Sequence, residues 1–274
     1  MISVNLTTTS SRLELCAATI WSLVHQNILP DRINLWISHE AYMADQGIKC
    51  APEWVNELNK IHDIVYVHFV HNTGPYRKIF PALINSVDDD ILIYADDDVI
   101  YGANWLSELI NEFNRHEQKY VVASRVKCIR KNFLGLVQSY NMYKIHRKSE
   151  VIEKDFIITG VGGCVLTKKM FKQEYLNNCD FLKIAPKTDD LWISKLLILS
   201  GSAVVVCPAA LKYVQEIQHY NFALSQTNTT IINGGLIYKL FSKIKNKILG
   251  YIGFRLSNND KVRAKIDTYF KEML

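Results

Sequence analysis

The six cysteines of this 274-residue chain, Cys16, Cys50, Cys128, Cys164, Cys179 and Cys207, never fall at a Cys-x-x-Cys spacing. That excludes a zinc knuckle and a dithiol redox motif, and scattered thiols fit a reduced compartment, the cytoplasm. Long apolar runs are also missing: none reaches the about 18 uninterrupted residues of a spanning helix. The opening Met1-Ile2-Ser3-Val4-Asn5-Leu6 lacks a basic stretch followed by an apolar block, so we expect neither a signal peptide nor an N-terminal anchor. Proline is scarce, at six residues, and the twelve glycines punctuate rather than cluster, leaving no repeat and no low-complexity linker. Strong charge of one sign is absent from the body. The net charge is +5, but residues 236–274 carry nine Lys or Arg against three Asp or Glu, so what precedes them is near neutral and offers no field for nucleic acid. What the chain does have is 49% hydrophobic content, enough to bury a full core. We divide it into a domain over residues 1–235 and a basic tail over 236–274.

The most informative stretch is Ile91-Leu92-Ile93-Tyr94-Ala95-Asp96-Asp97-Asp98-Val99-Ile100-Tyr101. A continuous apolar run reads as a buried parallel strand, and in open α/β sheets ligands gather beyond the carboxyl ends of such strands. Three carboxylates therefore stand where a ligand would. In an extended segment Asp96 and Asp98 share one side and Asp97 faces the other. Two such oxygens can share one hard cation, Mg2+ or Mn2+, with a substrate's phosphates completing its shell. The plain alternative is a loop with Asp in turn positions.

Before this stretch the text reads β-α-β-α-β, with strands over 2–6, 33–38 and 64–70 and helices over 13–26 and 53–61. That is the pattern of a mostly parallel sheet with helices on its faces, an α/β fold. The loop Thr7-Thr8-Thr9-Ser10-Ser11-Arg12 suits capping of the next helix and also suits hydrogen bonds to a nucleoside or phosphate. After the third strand, Asn72-Thr73-Gly74-Pro75-Tyr76-Arg77-Lys78 puts a glycine ahead of two cations, so that backbone can approach a phosphate that Arg77 and Lys78 neutralise. Helices are expected again over 79–86 and 104–116, and strands over 120–126 and 203–207. Residues 127–155 show no period and read as an acceptor loop or as a solvated connection.

Taken together, the Thr/Ser-Arg loop, the Asn-x-Gly motif and the Asp triplet resemble those of nucleotide-sugar glycosyltransferases of the GT-A fold. The phrase Gly74-Pro75-Tyr76-Arg77-Lys78-Ile79-Phe80-Pro81-Ala82-Leu83, followed by Tyr94 to Tyr101, looks like bacterial members that build surface polysaccharides such as lipopolysaccharide or capsule. The likeness covers roughly residues 1–220. It implies a Rossmann-like, mostly parallel sheet and a hexosyltransferase dependent on Mn2+ or Mg2+. Such an enzyme moves a sugar from a nucleotide diphosphate donor, UDP here, to a hydroxyl of a glycan or lipid-linked acceptor. The resemblance carries metal binding over to Asp96 and Asp98. Donor binding falls to Thr7, Arg12, Asn72, Gly74, Lys78, Asp96 and Asp97, and a third metal ligand to His219, after the last core strand. Within Phe156-Ile157-Ile158-Thr159-Gly160-Val161-Gly162-Gly163, it places Gly162 and Gly163 beside the acceptor sugar.

Thr188-Asp189-Asp190-Leu191-Trp192 opens a helix that runs to Leu199. Thr and Asp cap helices, which is one reading. The other is catalytic: inverting GT-A members carry their base in an acidic pair at such a helix start, with Asp190 as the matching member and Asp189 beside it. Trp192 is either an aromatic face for a pyranose ring or a core residue. In the tail, Ile237, Leu240, Phe241, Ile244, Ile248, Tyr251 and Ile252 recur at helical spacing, while Lys239, Lys243 and Lys247 stand at i, i+4, i+8. Such a helix lies in the interface of an anionic membrane, which would hold the enzyme at the cytoplasmic face of the inner membrane, or else packs on the domain. Two other function classes use parts of this pattern. A haloacid-dehalogenase-type phosphotransferase also sets Asp-x-Asp at a strand end with magnesium, though after its first strand, and a non-catalytic nucleotide-sugar-binding module would keep the fold without the base.

Overall fold

Most strands form where the buried apolar runs lie, the short exposed β8 and β12 excepted: β1 (Ile2–Thr7), β2 (Arg32–Ile37), β3 (Val65–Phe69), β4 (Ile91–Tyr94), β5 (Val99–Tyr101), β6 (Val121–Ala123), β7 (Val126–Cys128), β8 (Val151–Ile152), β9 (Phe156–Ile158), β10 (Cys164–Leu166), β11 (Val204–Val206) and β12 (Val214–Glu216). The computed structural model describes residues 1–218 and 236–273, the side chains of 236–243 and 273 excepted. Among these, the central sheet has the order β3-β2-β1-β4-β10-β6-β11-β8. β1 to β4 are parallel, as are β6 and β11, while β10 runs antiparallel between β4 and β6. With helices flanking it, this is the mostly parallel GT-A type of sheet that the resemblance implies. All six cysteines are free thiols.

The middle of the sheet is held by polar as well as apolar packing. Asn5 on β1 stands in register with Asn34 on β2; its Oδ1 accepts from Asn34 Nδ2 (3.0 Å) and Trp36 Nε1 (3.1 Å), and its Nδ2 donates to the Ile93 carbonyl on β4. A buried amide whose donors and acceptors are all met ties three strands into one register, where a one-residue slip would orphan them.

Two glycines decide how β10 enters. After β9 the chain makes a short turn over Gly160–Gly162, and Gly163 adopts φ +80°, a left-handed conformation that L side chains rarely take. The chain thereby reverses, and β10 starts where β4 and β6 end, with Cys164 opposite both Tyr94 and Ala123. The sequence suggests one strand over 120–126. The structure divides it into β6 and β7, because the Ser124 hydroxyl donates to the Gly162 carbonyl (2.6 Å) and the chain leaves the sheet at that point.

The helices follow their apolar stripes. Trp105–Arg115 buries Leu106, Leu109, Ile110 and Phe113, a spacing of i, i+3, i+4, i+7. Residues 236–273 form two helices, Leu236–Tyr251 and Asn258–Met273. The second buries Val262, Ile266 and Phe270 against the body, with the Phe270 ring 5.0 Å from that of Trp192 and Lys195 paired with Asp267 at 2.8 Å. The buried Asp260 carboxylate accepts from Ser139 Oγ, the Tyr140 amide and the Ser257 amide. The last helix is thus built into the core. Among the described residues no helix is long and apolar enough to cross a membrane. Removing the Phe270 ring should open a cavity in this contact: Phe270→Ala is expected to cost about 3–5 kcal/mol in a urea melt. A loss below about 1 kcal/mol would show the last helix to be peripheral.

Candidate active site

The acidic turn is made by the sheet. β4 is enclosed between β1 and β10, and the chain breaks from it at Ala95, so Asp96, Asp97 and Asp98 project at the carboxyl edge before β5 begins. The Asp96 amide donates to the Tyr101 hydroxyl (3.1 Å), and that hydroxyl donates to the Val161 carbonyl (3.2 Å), which locks the turn to the glycine segment. Asp97 faces inward, with its side chain 9% exposed, taking a hydrogen bond from Thr8 Oγ1 and an ion pair from Arg12 at 2.6 Å. Loss of water pushes its pKa up to about 6, against the pull of Arg12. Asp96 and Asp98 are turned to the opening, with side chains 30% and 24% exposed, and Arg12 also reaches Asp98 at 2.7 Å. No side-chain cap bond is made at the start of helix Leu13–Val24; the Thr8 hydroxyl serves the acidic turn instead.

Opposite stands the cationic turn. Asn72 Nδ2 donates to the Glu40 carbonyl (2.7 Å), and Asn72 Oδ1 accepts from the Gly74 amide (3.1 Å), with Gly74 at φ +63°. The following turn, Gly74–Lys78, buries both cations. Arg77 Nη2 bonds Asp45 (3.0 Å) and the Thr8 carbonyl (3.1 Å), while its Nη1 is buried without a hydrogen-bond partner among the described residues. Lys78 Nζ lies 2.8 Å from Asp96 and 2.7 Å from Asp189. Burial works against its charge, but Asp189 and Asp96 outweigh that and hold its pKa well above the usual lysine range.

The acidic pair begins helix Asp189–Leu199, and neither side chain is spent on capping. Thr188 makes no side-chain cap bond, Asp189 pairs with Lys78, and Asp190 Oδ1 accepts from the Gly160 amide at 3.0 Å. Ser194 Oγ donates to the Asp190 carbonyl (2.6 Å) and accepts from the Ile158 amide (2.9 Å), fixing the helix start against β9. Desolvation and the neighbouring Asp189 raise the Asp190 carboxyl to about 7, and Lys78 restrains the rise.

A cavity of about 360 Å³ opens between these groups. It is lined by Thr7, Arg12, Asn72, Gly74, Lys78, Asp96, Asp97, Asp98, Asp189 and Asp190, so ten of the residues singled out in the sequence meet in one place. Three others do not line it. Gly162 packs against Ser124 and Arg125, and a Cβ on Gly163 would strike the Trp105 ring. Trp192 is wholly buried among Phe181, Tyr269 and Phe270, on the helix face turned from the cavity. His219 lies outside the described residues. Sequence reasoning passed over Gly160, where a Cβ would stand 2.5 Å from Lys78 Nζ and 2.6 Å from Asp96 Oδ1. It also passed over Asp45, whose carboxylate takes the Ser10 and Gly47 amides, Asn72 and Arg77 and so pins the loop after β2 beside the cavity. An Asp-Gln-Gly turn text was its only signal. The Arg125–Glu216 pair and the Lys127–Tyr140 contact complete the far wall.

The family model described as glycosyl transferase family 2 matches residues 9–179, well over half of the chain. The chain belongs to that family. The matched span of this family 2 chain takes in the Arg12 loop, the cationic turn, the Asp triplet and the glycine segment, and stops short of Asp189. No curated protein matches it. Among solved structures it is similar to TarS of S. aureus, at 15% identity over 75% of this chain and 34% of that one, with a TM-score of 0.44. It is also similar to the mannosyltransferase PcManGT of Pyrobaculum calidifontis, solved with GDP-Man and Mn2+, at 12% identity over 76% and 55% with a TM-score of 0.47. The chain spans about a third and about half of the lengths of these two.

The raised Asp190 carboxyl makes the stability of this family 2 chain depend on pH. Between its ordinary value of 3.8 and about 7, the folded chain keeps a proton that the unfolded chain has released. Folding therefore weakens as pH rises through that window. In metal-free buffer, Asp190→Asn should gain on the wild type by on the order of 1–3 kcal/mol between pH 4 and pH 8. Parallel denaturation curves across that range would contradict the assignment.

Proposed function

We propose that this chain is a metal-dependent glycosyltransferase that moves a hexosyl group from a UDP-sugar to a hydroxyl of a glycan or lipid-linked acceptor, with inversion, during assembly of a surface polysaccharide or glycolipid. One observation carries the reading. A single cavity brings the Asp96–Asp98 turn and the Asp189–Asp190 helix start together, with Lys78 spanning them. Family membership supports the reaction class. A phosphotransferase would place its Asp pair after the first strand, and a binding module has no need of a second acidic pair with one member raised toward neutrality.

The donor set fits a divalent cation. Asp96 and Asp98 present hard oxygens to the cavity, and Mg2+ or Mn2+ commonly takes one or two protein carboxylates with the rest from phosphate and water. Among the described residues there is no cluster of three or more metal-ligating side chains. His219 would add a third ligand in this reading. When bound, the cation neutralises charge that develops on the departing diphosphate.

The chain's own residues do the rest. Arg12 orients Asp98 and Asp97 by its paired contacts, and Thr7, Asn72 and Gly74 shape the donor side of the cavity. Lys78 brings a permanent positive charge to the phosphate end. Asp190 takes the acceptor's hydroxyl proton as that oxygen bonds the anomeric carbon. The bond from that carbon to the diphosphate breaks, and its electron pair leaves with the nucleotide. A carboxyl near neutrality is well matched to this proton transfer at working pH. Contact of the basic tail with the cytoplasmic face of the inner membrane would bring the acceptor within reach.

Calorimetric titration of UDP with and without manganese tests the metal bridge. Asp98→Ala should lose at least about tenfold in manganese-dependent UDP affinity, and unchanged affinity would sink that role. Asp190→Asn keeps the side chain's size, so UDP binding should stay near wild type while turnover falls about 10²–10⁴-fold. Near-normal turnover would move the base to Asp189, and a product whose anomeric proton shows retention by NMR would refute direct displacement.

A further inference from the structure

The longest irregular stretch of the sequence carries a feature that the catalytic reading leaves unused. Between Lys131 and Val137 the chain forms a tight hairpin whose tip presents Phe133, Leu134 and Leu136 to solvent, the first two 82% and 65% exposed. Adjacent large apolar side chains held out in water cost free energy, so such a tip marks a surface that something covers. Its backbone is closed on itself. The Asn132 amide donates to the Leu136 carbonyl (2.9 Å), Asn132 Oδ1 accepts from the Leu134 and Leu136 amides (2.9 and 3.0 Å), and the Gly135 amide, at φ +76°, donates to the Asn132 carbonyl (3.0 Å). These bonds satisfy the amides of Asn132, Leu134, Gly135 and Leu136, which lowers the cost of bringing the tip into an apolar medium.

The hairpin does not stand alone. Asn132 Nδ2 donates to the Tyr251 carbonyl (3.1 Å), which sets the tip beside the end of helix Leu236–Tyr251 and the turn after it, where Ile248, Ile252 and Phe254 are exposed, Phe254 by 56%. The segments 129–137 and 244–256 contain Arg130, Lys245, Lys247 and Arg255, all exposed, and no Asp or Glu; Lys131 is paired with Asp155. Projecting apolar groups ringed by cations that meet no carboxylate among the described residues fit an anionic lipid surface. A second copy of the chain would bring like charge against like.

The same elements reach the cavity. The Ser139 amide donates to the Gly250 carbonyl (2.9 Å), and the next residue, Tyr140, lines the cavity together with Asn259. We propose that the 131–137 hairpin and the 248–255 turn form a membrane-docking surface. Phe133, Leu134 and Phe254 enter the apolar boundary of an anionic bilayer, the four cations meet its headgroups, and the Tyr140 wall of the cavity is set toward the membrane. The role of that wall rests on the lipid-linked acceptor of the preceding subsection; the docking itself does not.

Co-sedimentation of the full chain with phosphatidylcholine vesicles, with and without phosphatidylglycerol, tests the surface. The wild type should bind the anionic vesicles preferentially. Phe133→Ser with Leu134→Ser should weaken that binding at least about tenfold with an unchanged melting temperature, and Lys245→Glu with Lys247→Glu should abolish the preference for phosphatidylglycerol. Equal vesicle binding by the serine variant overturns the proposal. So does a wild type that ignores vesicles and forms a dimer in light scattering that the serine variant dissolves, since the face would then belong to a second copy. A wild type that binds vesicles but never turns over a nucleotide sugar counts against the catalytic reading alone and supports the docking surface.

Discussion

Lys78 is the charge on which the site depends. Its ammonium is buried, a state that costs several kcal/mol unless opposite charge is supplied at close range. Asp96 supplies it from the sheet edge and Asp189 from the start of a helix that comes nearly a hundred positions later, and both lie under 3 Å away. Neither carboxylate could hold its place without the cation, because Asp190 and Asp98 would crowd them with like charge. The lysine therefore joins two parts of the fold that share no strand pairing. It also explains Gly160, the residue beneath it: any side chain there would displace the ammonium. The ion pairs that join these two parts of the fold also line the candidate cavity.

Much of this was legible before any coordinates. The β-α-β-α-β text up to the Asp triplet has the periods of its elements, and the structure keeps each strand and helix to within a residue or two at most ends. The cavity residues Thr7, Arg12, Asn72, Gly74, Lys78 and Asp96 to Asp98 could be gathered because their loops follow β1, β3 and β4, where loops of a parallel sheet converge; Asp189 and Asp190 come from a helix start instead. Sheet position is a local property of sequence in such a fold, and so the site is readable from it.

What was not legible depends on where the chain goes afterwards. Gly162 and Gly163 look like a ligand platform in sequence, since a strand broken by glycines invites close approach. In three dimensions the approach is made by Trp105 and Ser124, so the glycines serve packing and the turn that reverses β10. Trp192 follows the acidic pair by two residues, but two positions along a helix is a rotation of roughly 200°, which carries it away from the cavity and into the aromatic cluster under the last helix. Asp45 belongs to a loop without period, and its partners come from two other segments, Ser10 from the loop after β1 and Asn72 and Arg77 from the cationic turn. Contacts of that kind leave no trace in spacing.

Domain and tail, as composition divides them, are in close contact. Composition changes at about residue 236, yet the core does not end there. Phe270 closes the aromatic cluster over Trp192, and Asp260 fastens the segment that carries Tyr140 by two hydrogen bonds. Each tail helix carries four Lys or Arg, but only the second sets acids against them, three in all, and it is the second that packs into the core. The lysines of the first helix end in a turn that rests on the irregular insert, whereas the second helix packs behind the acidic pair. Insert and tail are thus one unit: Ser139 and Tyr140 are held on one side by Gly250 and Asp260, and on the other Tyr140 meets Lys127 in the cavity wall. Ser139 and Tyr140 thus connect the exposed hairpin to the cavity wall without passing through the central sheet.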